Sequence, residues 1–126
     1  MSSESYFLKS KFVKELSPRD FDQIATWKLL NKKCSIVLFY AAWCPHCKAL
    51  IGVWEDLAKK AAFMEVVAFD CANHEAHMGK IKEDMPELVK GYPTIMFYSE
   101  GSPTEQYKGE RDIKNLLKAC MSSCKA

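Results

Sequence analysis

The sequence predicts a single α/β domain whose central sheet has a parallel half and an antiparallel half. Three observations lead to this fold class. Strand-like and helix-like segments alternate through most of the chain, two strand-like segments joined by a short turn follow, and an amphipathic helix comes last. Parallel strands need long crossover connections, whereas a tight turn joins antiparallel strands. We therefore expect a mixed sheet of four to five strands flanked by about four helices.

Length and composition fit one globular domain. The chain has 126 residues, of which 48% are hydrophobic, enough for one sizeable core. A net charge of +2 gives no basic surface for nucleic acid or an anionic membrane. The first residues lack the regions of a signal peptide, and no apolar run approaches the ~20 residues of a membrane span. We therefore expect a cytoplasmic monomer with no nucleic-acid or membrane partner.

The N-terminal region is expected to contribute one strand and one helix. Residues 1–9 read as a tail or an added edge strand, and the domain itself is expected to occupy the rest of the chain, residues 10–126. Residues 11–16 alternate weakly between apolar and polar, which suits a strand. Ser17 is a candidate N-cap, with a proline after it, for a helix whose apolar stripe includes Phe21 and Ile24.

The middle of the chain predicts two buried strands, each followed by a helix. Residues 34–41 form a nearly unbroken apolar run, which is typical of a central strand covered on both faces. Apolar residues then recur at helical spacing over residues 49–61, which predicts one broad apolar face. Residues 63–71 read as a second buried strand. Residues 72–82 predict a helix with two inward side chains, Met78 and Ile81.

The last part of the chain predicts a hairpin and a final helix. Residues 94–98 and 104–108 read as strands, because a turn rich in Ser, Gly and Pro separates them at residues 99–103. Two such strands must lie antiparallel to each other. The final helix is predicted by apolar residues at i, i+3, i+4 and i+7 spacing, namely Ile113, Leu116, Leu117 and Cys120.

Cys44 and Cys47 form a C-x-x-C where the first apolar strand meets the following helix. A helix N-terminus stabilises a thiolate, and the thiolate is the nucleophile of disulfide exchange. Ligands of such sheets bind beyond the carboxyl ends of the strands, which is where this pair is expected. The context therefore favours a redox-active dithiol. A structural pair or half of a zinc site is the alternative, because zinc sites also use C-x-x-C.

The remaining cysteines and two histidines have simpler interpretations. A buried free thiol that packs as a small hydrophobe is expected for three cysteines in apolar patterns, namely Cys34, Cys71 and Cys120. Cys124 reads as an incidental cysteine, with an exposed accessory thiol as the alternative. His74 and His77 are expected on the surface, since no further ligands complete a metal site. We expect no metal and no cofactor beyond the dithiol.

Two motifs together resemble the thioredoxin superfamily. Trp-Cys-Pro-His-Cys-Lys at residues 43–48 follows an apolar strand, and Gly-Tyr-Pro-Thr occupies residues 91–94. The sequence is most similar to catalytic domains of protein disulfide isomerases, which carry Phe-Tyr-Ala-x-Trp-Cys-Gly-His-Cys-Lys. The resemblance covers roughly residues 10–120. It implies a thioredoxin fold that exchanges disulfides with cysteine-containing protein substrates and is recycled by a redox partner.

The resemblance also implies a role for each residue of the site. Cys44 would be the exposed attacking cysteine, and Cys47 would be the buried resolving one. Trp43 would form one wall of the site. Pro93 would be a cis proline that faces the cysteines, a conformation rare enough to be a deliberate feature. Tyr92 would offer backbone hydrogen bonds to an extended substrate.

Three residues are expected to tune the dithiol. Protonated His46 would favour the thiolate of Cys44, which makes the disulfide more oxidising. Pro45 stands where the isomerase pattern has glycine. Arg111, in a Tyr-x-Gly-x-Arg segment that also resembles the isomerases, would approach the dithiol. We therefore expect a reduction potential above that of thioredoxin.

One departure from the family pattern concerns proton transfer. The family carries a buried acid six residues before the first cysteine, and this chain has Leu38 there. Ala68 takes the place of a lysine that commonly lies near that acid. Because Leu38 cannot relay a proton from Cys47, we expect slow resolution or a stronger pH dependence. A peptide-binding module that uses the groove at Pro93, with weak or no redox turnover, is the alternative function.

Overall fold

A computed structural model describes residues 4–124 as one five-stranded sheet with helices on both faces. The strands are β1 (Lys14–Glu15), β2 (Ser35–Tyr40), β3 (Glu65–Asp70), β4 (Thr94–Ser99) and β5 (Ser102–Gln106). The helices are α1 (Pro45–Lys48), α2 (Ile51–Lys60), α3 (Glu75–Asp84) and α4 (Ile113–Ser123). None of these helices has the length and apolar character that crossing a bilayer requires.

The sheet has the predicted parallel and antiparallel halves. Its order is β1-β3-β2-β4-β5. β1 and β2 run parallel to β3, whereas β4 runs antiparallel to both β2 and β5. The parallel strands therefore end at one edge, and the loop that leads into β4 returns to that same edge. The predicted mixed α/β fold is confirmed.

The core lies on both faces of β2, and every residue of that strand is buried. One face packs against α1, α2 and α4 through side chains such as Trp54, Leu57 and Leu116. The other face packs against α3 and the N-terminal loop through side chains such as Phe69 and Ile81. This two-sided burial explains the unbroken apolar run, since a central strand has no solvent-facing side.

The N-terminal region differs from the prediction. Residues 4–9 form no strand; a turn there buries Phe7, and residues 1–3 lie outside the described part. The helix expected after Ser17 is reduced to a 3-10 turn at Pro18–Asp20, and Ile24 is 91% exposed. The cause is local, because the Asp22 carboxylate accepts hydrogen bonds from the backbone amides of Ile24 and Ala25, both at 2.8 Å. Such side-chain bonds compete with helix formation.

Cys34 and Cys124 form a disulfide that links the start of β2 to the end of α4. Their Cα atoms are 5.8 Å apart, which is a usual separation for bonded cysteines. The predictions of a free thiol at Cys34 and an incidental cysteine at Cys124 are therefore wrong. The residues are 90 positions apart in the chain, so only the packing of α4 brings them together. Cys71 and Cys120 are buried and free, as predicted.

His77 lies in the core, so its predicted surface position is wrong. Its ring nitrogen lies 2.9 Å from the carbonyl oxygen of Thr26. Burial is the main cause that lowers the pKa of His77, because a charged imidazole loses hydration in the core. His74 is half-buried, and its ring stacks on Phe69 with centroids 5.0 Å apart. Both histidines therefore serve the packing of α3 against the sheet.

Candidate dithiol site

The C-x-x-C occupies the start of α1, directly after the central strand. Cys44 is the N-cap residue, and Pro45 takes the first helical position, where it needs no backbone donor. The Cys44 amide donates to the carbonyl oxygen of Ala41 at 3.0 Å, and the Cys47 amide donates to that of Cys44 at 3.1 Å. The end of β2 and the first helical turn thereby place both thiols at the carboxyl edge of the sheet.

Cys44 is more enclosed than the resemblance implied. It is 5% exposed and Cys47 is fully buried, so the two thiols differ little in accessibility. The Cys44 Sγ lies 3.6 Å from the carbonyl oxygen of Tyr92, which covers it. Trp43 is 64% exposed, and its ring meets the Tyr92 ring edge-on with centroids 6.3 Å apart. The Trp43 and Tyr92 rings thus lie next to each other beside Cys44.

The electrostatics of the site make Cys47 a weak acid. Burial is the main cause that raises the pKa of Cys47 to about 12, and the adjacent Cys44 thiol adds to the effect. The backbone of Ala41 and the positive charge of Arg111 act in the opposite direction. Arg111 is thus within electrostatic reach of the dithiol although its side chain is exposed. His46 is also exposed, on the first turn of α1.

The second motif meets the first at this edge. The Tyr92–Pro93 peptide bond is cis, and Thr94 then begins β4 opposite Phe39 at the end of β2. The Thr94 hydroxyl donates to the carbonyl oxygen of Gly91 at 2.6 Å, which closes the turn. A cavity of about 200 Å³ lies beside Pro93, and Arg111 contributes to its wall. The fold therefore brings both sequence motifs and the Arg111 loop together.

A second cavity, of about 280 Å³, lies beside Trp43, the residue before Cys44. Trp43 and Tyr92 line it together with Cys71 and Met78. Leu38 is fully buried and pairs with Ala68 on β3. The two positions expected from the family pattern to hold a buried acid and a lysine are therefore both apolar. Residues 4–124 contain no cluster of three or more His, Cys, Asp or Glu side chains suited to a metal.

Sequence reasoning missed three polar residues next to this site. The Tyr6 hydroxyl donates to the carbonyl oxygen of Ala42 at 2.8 Å, just before the motif. The Tyr40 hydroxyl donates to a carboxylate oxygen of Glu15 at 2.6 Å. Of these three residues, Glu15 could have been noticed in the sequence, because an acidic residue within a strand pattern can mark a buried polar site. Tyr6 carried no such signal, because its segment reads as a tail.

Comparison with known proteins agrees with this arrangement. The chain is 39% identical over 83 residues to the Thioredoxin domain-containing protein 5 homolog of Drosophila melanogaster, covering 64% of this chain and 18% of that protein. It is 33% identical over 117 residues to Protein disulfide isomerase-like 2-3 of Oryza sativa subsp. japonica, covering 90% of this chain and 24% of the relative. The chain thus spans about a quarter or less of these two relatives' length.

Two solved structures share the fold. The J-Trx1 fragment of ERdj5 superposes with a TM-score of 0.75 at 21% identity, covering 93% of this chain and 54% of that one. Thioredoxin F from spinach chloroplast superposes with a TM-score of 0.67 at 23% identity, covering 88% of this chain and 85% of that one. Both likenesses extend over most of this chain and concern its fold.

The relatives also correct the expected location and identify the family. The homologues are endoplasmic reticulum proteins, so the prediction of a cytoplasmic location is wrong. The Cys34–Cys124 disulfide agrees with this correction, because disulfides persist mainly in oxidising compartments. The thioredoxin family model matches residues 12–122, nearly the whole described chain. The chain therefore belongs to the thioredoxin family.

Proposed function

We propose that this domain is a thiol–disulfide oxidoreductase that exchanges disulfides with cysteine-containing protein substrates. The observation that carries the proposal is the Cys44–Cys47 dithiol at the start of α1, with the Cys44 Sγ 3.6 Å from the Tyr92 carbonyl of the proline turn. A dithiol at a helix start supplies the nucleophile, and a turn beside it offers backbone groups to an extended chain. Membership of the thioredoxin family and relatives named protein disulfide isomerases support the same function.

The reaction begins with attack by the Cys44 thiolate on one sulfur of a substrate disulfide. The substrate S–S bond breaks, one substrate thiolate leaves, and a mixed disulfide joins Cys44 to the substrate. Cys47 then loses its proton and attacks the Cys44 sulfur, which releases the second substrate thiolate. The substrate gains two electrons and two protons, and the domain is left with a Cys44–Cys47 disulfide. The reverse sequence oxidises a substrate dithiol, and a redox partner restores the starting state.

The deprotonation of Cys47 is the demanding step of this cycle. Its pKa of about 12 leaves almost no thiolate at neutral pH, and Leu38 offers no proton acceptor. The positive charge of Arg111 assists the thiolate of Cys47, and His46 is proposed to do the same for Cys44. Trp43 and the Tyr92–Pro93 turn would form the walls between which the substrate lies.

Trapping of the mixed disulfide tests the proposal. Cys47→Ser should accumulate a covalent complex with a disulfide-bonded substrate such as insulin, whereas Cys44→Ser should accumulate none. Wild type should reduce insulin in the presence of a dithiol that recycles it. The absence of both turnover and a trapped complex would overturn the proposal.

A peptide-binding module is the second candidate, and one observation favours it. The Cys44 thiol is 5% exposed and lies against the Tyr92 carbonyl, which would slow attack, whereas the cavity beside Pro93 stays open to a peptide. Binding of an extended, cysteine-free peptide to wild type and to Cys44→Ser separates the two functions. Equal binding by both, with no turnover by wild type, would favour the module.

A further inference from the structure

The segment Ser5–Phe7, here called the strap, crosses the carboxyl ends of the two central parallel strands. The Ser5 hydroxyl donates to an Asp70 carboxylate oxygen at 2.7 Å, at the end of β3. The Tyr6 amide donates to the Tyr40 hydroxyl at 2.8 Å, at the end of β2. Phe7 is 1% exposed and belongs to the same core as the dithiol. The strap is therefore a packed element of the site's edge.

Tyr6 connects the strap to the loop that precedes the dithiol. Its hydroxyl donates to the carbonyl oxygen of Ala42 at 2.8 Å, and its ring stacks on Tyr40 with centroids 4.3 Å apart. Ala41, the preceding residue, accepts the hydrogen bond of the Cys44 amide, and its backbone favours the Cys47 thiolate. A shift of this loop would therefore change the surroundings of both thiols.

Glu15, on the edge strand β1, contacts the strap through a hydrogen bond. One carboxylate oxygen accepts from the Tyr40 hydroxyl at 2.6 Å and from the Phe7 amide at 3.2 Å. Its other oxygen is buried and has no hydrogen-bond partner among the described residues. Glu15 registers with Ala68, which in turn registers with Leu38, so all three lie in one row across β1, β3 and β2. The partly buried acid of this row thus lies on the edge strand, while the central position is apolar.

The Tyr6 hydroxyl remains protonated, and so remains a donor, at physiological pH. Burial is the main cause that raises its pKa to about 12, followed by the Cys47 thiol, the Cys44 thiol and Asp70. Tyr6 also packs against the side-chain core that contains Cys44 and Cys47. Tyr6 therefore provides a fixed neutral donor beside the redox pair.

We propose that Tyr6 is a positioning residue for the dithiol, and that Tyr40 and Glu15 hold Tyr6 in place. This inference rests on the proposed function, because the rate it affects is that of thiol–disulfide exchange. Tyr6 acts through the Ala41–Ala42 backbone: its bond to the Ala42 carbonyl fixes the loop, and the loop fixes the N-cap of α1. Loss of one such bond is worth roughly a three- to tenfold change in rate.

The test compares Tyr6→Phe with Tyr98→Phe in the full chain. Tyr98 is an equally suitable tyrosine for a control, because its hydroxyl donates to the Trp27 carbonyl at 2.7 Å and its ring lies in the core on the opposite face of the sheet. Both variants keep the ring and lose a hydroxyl that donates to backbone carbonyl oxygen. Similar losses of thermal stability are therefore expected in both variants, so a difference in thiol chemistry reports the place of Tyr6 beside the dithiol.

Two readouts separate this inference from the proposed function. The first is the rate at which Cys47 resolves a mixed disulfide between Cys44 and glutathione. The second is the pH profile of Cys44 alkylation by iodoacetamide in a Cys47→Ser background, which needs no turnover. Tyr6→Phe should slow resolution roughly three- to tenfold and move the alkylation profile to higher pH, since a loosened helix start favours the thiolate less. Tyr98→Phe should change neither.

Each outcome decides one question. If wild type is active and Tyr6→Phe behaves like Tyr98→Phe in both readouts, the positioning role is overturned and the proposed function stands. If wild type is inactive but Tyr6→Phe shifts the alkylation profile, the proposed function is overturned and the positioning role is supported. Glu15→Ala should shift the profile in the same direction as Tyr6→Phe, and no shift would refute the part assigned to Glu15.

Discussion

Removal of the Cys34–Cys124 disulfide should lower the free energy of unfolding by several kcal/mol. The bond closes a loop of 90 residues, which encloses nearly all of the sheet and α4. In the chain-entropy description, closing a loop of this length destabilises the unfolded chain by about 4.6 kcal/mol at 25 °C. For a domain of this size the corresponding fall in Tm is roughly 15–20 °C.

The assay must reduce this bond without interference from the reactive pair. We would use a Cys44→Ser/Cys47→Ser background, in which Cys34–Cys124 is the reducible bond and the buried Cys71 and Cys120 are free thiols. Denaturant unfolding of the oxidised and dithiothreitol-reduced protein then gives the difference directly. The matched control also carries Cys34→Ser/Cys124→Ser, and the reductant should not change its stability.

Two results would refute this reasoning. A peptide map of the oxidised protein without a crosslink between the Cys34 and Cys124 peptides would show that the bond does not form. A stability difference below about 1 kcal/mol would show that the loop is already restricted in the unfolded chain, contrary to the entropic description.

Three further predictions concern Glu15, Arg111 and Leu38. Burial raises the folded-state pKa of Glu15 from 4.5 to about 7, so the folded chain holds more protons between these values and stability should fall as pH rises through this window. The free energy of unfolding should fall by on the order of 2 kcal/mol after allowance for screening, as measured by denaturant unfolding, and Glu15→Gln should not show this fall. The same pH dependence in Glu15→Gln as in wild type would show that Glu15 is not its source. Arg111→Gln should slow the resolution of the mixed disulfide by Cys47 roughly two- to threefold at low salt and less at high salt, because the charge of Arg111 favours the Cys47 thiolate. The matched variant Lys108→Gln should have a smaller effect, and equal rates in the two variants would show that Arg111 does not assist Cys47. Leu38→Glu should speed insulin reduction and flatten the pH profile of its rate, because the carboxylate supplies a proton acceptor, and it should lower the Tm because the acid is buried. An unchanged rate and pH profile would show that Leu38 does not limit the reaction.

The central strands, α3, the hairpin and the dithiol were all within reach of sequence reasoning. Their signals are local: a strand covered on both faces is apolar throughout, and α3 turns Met78 and Ile81 inward at helical spacing. The helix expected after Ser17 does not form for an equally local reason, because the hydrogen bonds that the Asp22 carboxylate accepts from backbone amides outweigh the helical pattern. Such competition leaves no trace in the periodicity.

The sequence by itself determined the fold class and the position of the reactive pair, because both follow from patterns within a few residues of each other. Only the tertiary structure decided that Cys34 is bonded to Cys124, that His77 is buried, and that Tyr6 reaches the Ala42 carbonyl. Each of these contacts joins segments far apart in the chain. Their formation depends on strand register and helix packing, which many distant residues set together.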